Sequence, residues 1–197
     1  MTDKVKILPI FAYGHPLLKR IASPIEKDYK GLEELIRNMF ATMYAAPGVG
    51  LAAPQIGLSI RLLVLDATPF NDEEEKNSLK GFKKVMINPQ ILEEFGDEWS
   101  FEEGCLSVPG IREDVMRKEK IRISYSDENF VHHEEVYDDI KARVMQHEYD
   151  HLDGILFPDR LNPLKRRLLR RKLNDITTGN VDVKYPMHYP KRRKRKR

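Results

Sequence analysis

The sequence predicts an α+β fold in which mainly antiparallel β-sheets pack around one central helix. Three observations carry that prediction. The clearest helical segment, "DDIKARVMQHEYDHLDG", places Ile140, Val144, His147 and His151 on one stripe, at offsets of 4, 7 and 11 residues. The strand-like segments precede this helix instead of alternating with helices, which disfavours a parallel α/β sheet. The chain has 197 residues, 41% of them hydrophobic, enough for one domain with a sizeable core.

Taken in order, the elements support that architecture. "GLEELIRNMFATMYAAP" spaces Leu32, Leu35, Met39 and Met43 at helical intervals, and Pro47 follows. "GVGLAAPQIG" sets glycines and a proline among small apolar residues, a tight loop that lets backbone approach a partner closely. "IRLLVLDA" reads as a buried strand, and "TPFNDEEEKNSLKG" (68–81) as an acidic surface loop. "FKKVMINPQILEEF" reads as one or two short strands broken at Asn88-Pro89, and "EWSFEEGCLSVPG" as extended chain that then turns. "KIRISY", "SDEN" and "FVHHEEVY" form strand, turn and strand.

In the central helix Asp138 or Asp139 can cap the start, and Gly154 can close the end in the left-handed conformation. "NPLKRRLLRRKLNDI" makes a second amphipathic helix, with Leu164, Leu168, Leu169 and Leu173 expected inward and Lys165, Arg166, Arg167, Arg170, Arg171 and Lys172 outward. One catalytic domain is expected over 1–175, and a flexible basic tail over 176–197, where periodicity is lost.

Composition narrows the function classes. No apolar run approaches the roughly 18 residues of a membrane span. "MTDKVKILPIFAYG" has a short apolar patch broken by Pro9 and lacks a signal peptide's longer core. The single cysteine, Cys105, excludes an internal disulfide framework, and these features together favour the cytoplasm. The net charge of +3 conceals an asymmetry: residues 165–197 hold 14 Lys and Arg against 2 Asp, so the rest is acidic.

"QHEYDH" (146–151) carries the chemistry. Histidines four apart on a helix are neighbours, so His147 and His151 can reach one metal ion with Glu148 beside them. The competing reading is two unrelated histidines on a charged helix. Their continuation of the Ile140–Val144 stripe points both inward, where buried imidazoles need partners. A catalytic centre usually adds a third protein ligand and keeps one position open. A metzincin would need histidine where Phe157 stands, and no Glu follows Glu148 to serve a thermolysin-like site. The third ligand is therefore expected upstream, among Cys105, His15, His132 and His133. Cys105 is normally read as a small buried hydrophobe, yet Gly104 and the following Leu-Ser-Val-Pro turn argue for a special backbone shape there.

"GVGLAAPQ" (48–55), "EGCLS" (103–107) and "QHEYDH" (146–151) match, in order, the three signature motifs of peptide deformylase. "YGHPLLKRIASPI" resembles the family's opening and "LDGILFPDR" its continuation after the helix, so the resemblance covers roughly residues 5–175. It implies removal of the formyl group from N-terminal formyl-methionine of newly made chains, releasing formate. By motif position it implies Cys105, His147 and His151 as metal ligands and Glu148 as general acid/base. Gln55 and the Leu106 backbone N–H would stabilise the oxyanion, and Val49, Gly50 and Gly104 would line the peptide groove. Family members commonly use Fe(II), the expected ion, and many accept Zn(II), Ni(II) or Co(II). The family's C-terminal helix can dock on the ribosome, which makes ribosomal RNA an expected partner for the basic helix and for "KRRKRKR" (191–197). Two other readings compete: a general metallopeptidase using the same helix, and a non-catalytic RNA-binding protein on the same scaffold.

Overall fold

The computed structural model describes residues 5–70, 79 and 81–191. Among them, five strands form one antiparallel sheet in the order β2-β3-β4-β5-β6: Gly50–Ala52, Leu62–Asp66, Lys83–Cys105, Val108–Ser126 and His132–Asp138. β1 (Ile10–Phe11) lies outside that sheet and pairs in parallel with β7 (Met187–His188). Four helices complete the fold: α1 (Leu32–Ala45), α2 (Asp139–Leu152), α3 (Phe157–Arg160) and α4 (Pro163–Thr178). None of the described helices is long and apolar enough to cross a membrane.

The expected α+β architecture is present. α1 starts after Gly31 (φ 75°), carries Glu33 and Glu34 in its first turn, and buries Met39, Phe40 and Met43. They pack with Leu51, Leu62, Val64 and Ile87 on one face of the sheet. α2 packs on the other side, where Ala142, Val144, Met145 and Leu152 meet Leu63, Leu65, Met86, Ile121 and Ile123. The central helix is thus walled by antiparallel strands, which makes its site-bearing turns rigid. Gly154 (φ 72°) closes this helical region as the sequence predicts, and a Cβ there would fall 2.8 Å from the Lys19 carbonyl. Asp138 stands at the N-cap but makes no side-chain capping bond, and Asp139 enters the helix at φ 50°.

Three expectations are corrected. The segment around Asn88-Pro89 does not break into separate strands; β4 runs through it as 23 residues with a register shift between Ile87 and Gln90. Asn88 takes φ 51° and its side-chain amide bonds both Ile25 N–H (2.9 Å) and Ile25 C=O (2.8 Å), so the irregularity is a pinned bulge. On α4, Leu169, Leu173 and Ile176 face inward, whereas Leu164 and Leu168 are 68% and 74% exposed. The inward stripe is set by the hydrophobic floor of Val108, Ile111 and Val115, which only the folded β5 provides.

The third correction concerns the expected mobile tail. α4 continues to Thr178, and the chain then folds back, with Ile10 N–H donating to Pro186 O (2.8 Å) and Ala12 N–H to His188 O (2.9 Å). Val181, Met187 and Tyr189 pack against the cluster beneath α4. Alternate burial over 181–189 is a strand-like pattern whose partners are remote in sequence. Residues 192–197, with most of "KRRKRKR", and the acidic stretch 71–78 with residue 80 lie outside the described residues.

Candidate metal centre

The predicted ligands converge. His147 and His151 project from successive turns of α2, their ring centroids 5.3 Å apart. Cys105 comes from the end of β4, where the chain turns into β5, and its Sγ stands 3.3 Å from His151 Nε2. The donor atoms of Cys105, His147 and His151 all lie within 4.8 Å of one another. Two ligands sharing one tetrahedral ion through bonds of about 2.0–2.3 Å stand roughly 3.5 Å apart, close to the Cys105–His151 separation. Among the described residues no other group of three such side chains meets this geometry.

The other histidines are committed elsewhere. His15 accepts from Leu17 N–H (3.2 Å), His133 bonds Asp127 Oδ2 (2.9 Å), His132 is exposed, and His188 packs against Phe11.

A buried ion network orients His147, and sequence reading missed it. Glu103 accepts from Arg117 Nε (2.6 Å) and Nη2 (3.0 Å), from Arg143 Nη1 (3.1 Å) and from His147 Nδ1 (2.8 Å). Arg117 also donates to Asp150 Oδ2 (2.8 Å), which accepts from Arg160 Nε (2.6 Å). With Nδ1 donating to Glu103, His147 has its Nε2 left for a metal, the carboxylate–histidine arrangement that selects the tautomer and raises ligand basicity. Burial works to raise the Glu103 pKa, yet the bonds from His147 and Arg117 hold it well below the usual carboxylate range. Arg143 stacks over Trp99 at 4.4 Å and donates to Trp99 O and Val115 O, which fixes the back wall. The available signal was weak: Glu103 stands among acids in "SFEEG", and nothing in "VMRKEK" marks Arg117 as a residue only 4% exposed.

Glu148 is buried beside His147, and burial pushes its carboxyl up to about 7. Its Oε2 has no hydrogen-bond partner. Gly50 makes this placement feasible, since a Cβ there would fall 2.6 Å from Glu148 Cδ. At Gly48 a Cβ would fall 2.7 Å from Leu106 Cδ1, so the glycine loop is a close-approach device at both positions.

Gln55 is 1% exposed. Its Oε1 accepts from Ala52 N–H (2.7 Å), which settles the amide orientation and sends Nε2 toward Cys105 Sγ (3.6 Å) and Ser107 Oγ (3.4 Å). Val49, Gly50, Gly104 and Leu106 line a cleft of about 790 Å³ together with Gln55, Cys105, His147 and Glu148. His151, 1% exposed, sits behind them.

A divalent ion fits this set. One thiol and two imidazoles make a three-ligand donor group beside an open cleft. Burial pushes His151 well below its ordinary pKa, which favours the neutral ring, whereas at His147 the bonds to Cys105 and Glu103 outweigh burial and push the pKa well above its ordinary value. The orphaned Glu148 Oε2 is a buried acceptor aimed at no protein donor, as an acid/base waiting for a polar reactant should be. With an open position, a neighbouring carboxyl and an inward amide donor, the arrangement is suited to metal-assisted hydrolysis of an amide.

Comparison with known proteins agrees. The family model described as polypeptide deformylase matches residues 7–167. A peptide deformylase of Christiangramia forsetii is 55% identical over 193 residues, covering 95% of this chain and 98% of its own. One of Flavobacterium johnsoniae is 52% identical over 188 residues, covering 93% and 96%. The crystal structure of a peptide deformylase from Legionella pneumophila superposes with a TM-score of 0.76 at 42% identity, covering 89% of this chain and 98% of that one.

Proposed function

Because the chain belongs to the peptide deformylase family, we propose that Cys105, His147 and His151 hold its catalytic metal, Glu148 is its general acid/base, and Gln55 with the Leu106 N–H stabilises the oxyanion. It is a hydrolase that removes the formyl group from the N-terminus of new polypeptides, a reaction that is metal-dependent across the family. The observation that carries the assignment of roles is the meeting of three donor atoms within 4.8 Å beside a buried, partnerless carboxylate oxygen.

When bound, the ion supplies Lewis acidity, polarising the formyl oxygen and lowering the pKa of water at the site. Glu148 takes a proton from the attacking water as its oxygen bonds to the formyl carbon. Negative charge grows on the formyl oxygen, where Gln55 Nε2 and the Leu106 N–H donate. Glu148 returns the proton to the leaving nitrogen, the C–N bond breaks, and formate and a free methionine amine leave. Val49, Gly50 and Gly104 form walls against which an extended peptide can lie, and the glycines permit close backbone approach.

A thiolate with two imidazoles suits Fe(II), Zn(II), Ni(II) and Co(II); we take Fe(II) as the working ion. We place the protein in the cytoplasm with its nascent-chain substrates. The outward face of α4, with Arg166, Arg167, Arg170, Arg171 and Lys172 exposed beside Leu164 and Leu168, supports contact with ribosomal RNA. Co-sedimentation with ribosomes over a salt series tests it: charge reversal at Arg167 and Arg170 should weaken binding and flatten its salt dependence. Unchanged binding would remove this role from α4.

The test of the main reading is Glu148→Gln. Formate release from a formyl-methionyl peptide should fall by about 10²–10⁴, while bound metal per chain stays the same. Survival of activity would exclude Glu148 as the acid/base. Cleavage of internal peptide bonds by the wild type would favour the metallopeptidase reading.

A further inference from the structure

The turn that carries Cys105 and Leu106 is held from outside the motif. Tyr185 Oη donates to Leu106 O at 2.8 Å, and Tyr13 N–H donates to Ser107 O at 2.8 Å. Both residues belong to the fold-back region, where β1 and β7 pair. The peptide units on either side of Ser107 are thus tied down at their carbonyls, while Gln55 Nε2 reaches the Ser107 hydroxyl from within the cleft. The two-residue turn Leu106–Ser107 between β4 and β5 thus gains two bonds from outside its own hairpin. Tyr185 is half-buried, with its ring against the same apolar cluster as Leu106. Asp182, Val183 and Lys184 beside it line the same cleft as Gln55 and Glu148.

We propose that Tyr185 is a positioning residue for the deformylation reaction: its hydroxyl holds the Leu106 carbonyl, which fixes the Leu106–Ser107 turn and so limits the rotation about Leu106 that would swing the Leu106 N–H, carried by the adjoining peptide unit, off the reacting oxygen. The C-terminal segment is then part of the catalytic apparatus. This rests on the role given above to the Leu106 N–H. An oxyanion donor acts through direction as much as presence, because a donor swung away from the developing charge no longer stabilises the transition state.

The decisive variant is Tyr185→Phe in the full chain, which removes one oxygen and keeps the ring packing. Two measurements are made on it. Hydrogen exchange of the Tyr13 amide, which donates to Ser107 O, should quicken by roughly threefold to tenfold as the turn loosens, the local opening expected when one hydrogen bond is lost. The kcat for formyl-methionyl peptide should fall about tenfold, a fraction of the 10²–10³ that complete loss of such a donor costs. KM should hold within about twofold and metal content should be unchanged, since phenylalanine keeps the ring that lines the cleft and Cys105 stays anchored at the end of β4. Unchanged exchange, unchanged kcat, or a loss carried by KM or by metal content would each overturn the proposal. A wild type that releases no formate would instead refute the functional reading, and the exchange measurement would still decide whether Tyr185 holds the turn.

Discussion

Replacing Glu103 with glutamine changes one atom and should disable the centre from behind. Glu103 receives four donors: Oε1 takes Arg117 Nε and Arg143 Nη1, and Oε2 takes Arg117 Nη2 and His147 Nδ1. A glutamine has one acceptor oxygen. Whichever way its amide turns, the NH₂ faces two of those donors, and Arg117 also loses one of its two carboxylate partners. Two orphaned buried donors cost about 1–3 kcal/mol each, and breaking a buried ion pair from one side costs about 3–5 kcal/mol. These describe overlapping losses, so about 3–5 kcal/mol of stability should disappear.

The metal site should suffer as well. Where the NH₂ faces His147, the ring relieves the clash by moving its proton to Nε2, the nitrogen proposed to hold the metal, and the other amide orientation leaves two arginine N–H groups, which have no such escape, against the NH₂, so metal affinity should fall about 10–100-fold. Urea denaturation measures the first effect and competition with a chromophoric chelator the second. Stability within about 0.5 kcal/mol of wild type together with unchanged metal affinity would show that the network neither braces the fold nor orients His147.

The same carboxylate gives a pH dependence: its folded pKa is depressed below the ordinary 4.5, so its contribution is complete above that value and is lost as pH falls below it. Wild type should therefore lose stability steeply below pH 4.5 in urea melts while Glu103→Gln shows a shallower slope, and parallel slopes would contradict the assignment. Gly50→Ala would thrust a methyl group against Glu148; displacing the carboxylate by about 1 Å should cut kcat on the order of 10²-fold with the fold retained, and wild-type turnover would mean that Glu148 tolerates the shift. Leu169→Ala should destabilise by about 2–5 kcal/mol, whereas Leu168→Ala on the exposed side should stay within about 0.5 kcal/mol; equal effects in thermal melts would put the wrong face of α4 inward. Removing metal with a chelator should abolish formate release, and adding Fe(II) or Zn(II) back should restore it.

Local pattern determined much of this protein. Helical periodicity located α1, α2 and α4, and the stripe through Ile140, Val144, His147 and His151 put both histidines on one inward face, because side chains four apart share a face, although α2 is buried on nearly every side from Ala142 to Leu152. The resemblance to the family's motifs named Cys105, His147, His151, Gln55 and the glycine loop, and the fold brings these residues together. What the sequence could not carry was every decision made between segments distant along the chain. Asn88 reads as a strand breaker until Ile25 is there to pin it. Leu164 and Leu168 are as apolar as Leu169 and Leu173, and only the surface offered by Val108, Ile111 and Val115 chooses between them. Glu103 and Arg117 look like surface charges, since neither shows its partner in the primary sequence; the bend of β4 against β5 and α2 brings them together where water is excluded. The segment 181–189 lacks a self-sufficient pattern because its hydrogen bonds run to the chain at Ile10 and Ala12 and to the turn at Leu106. Periodicity and spacing record how a segment meets its immediate neighbours, whereas burial and ion pairing depend on which remote surface arrives opposite, and only the folded chain specifies that.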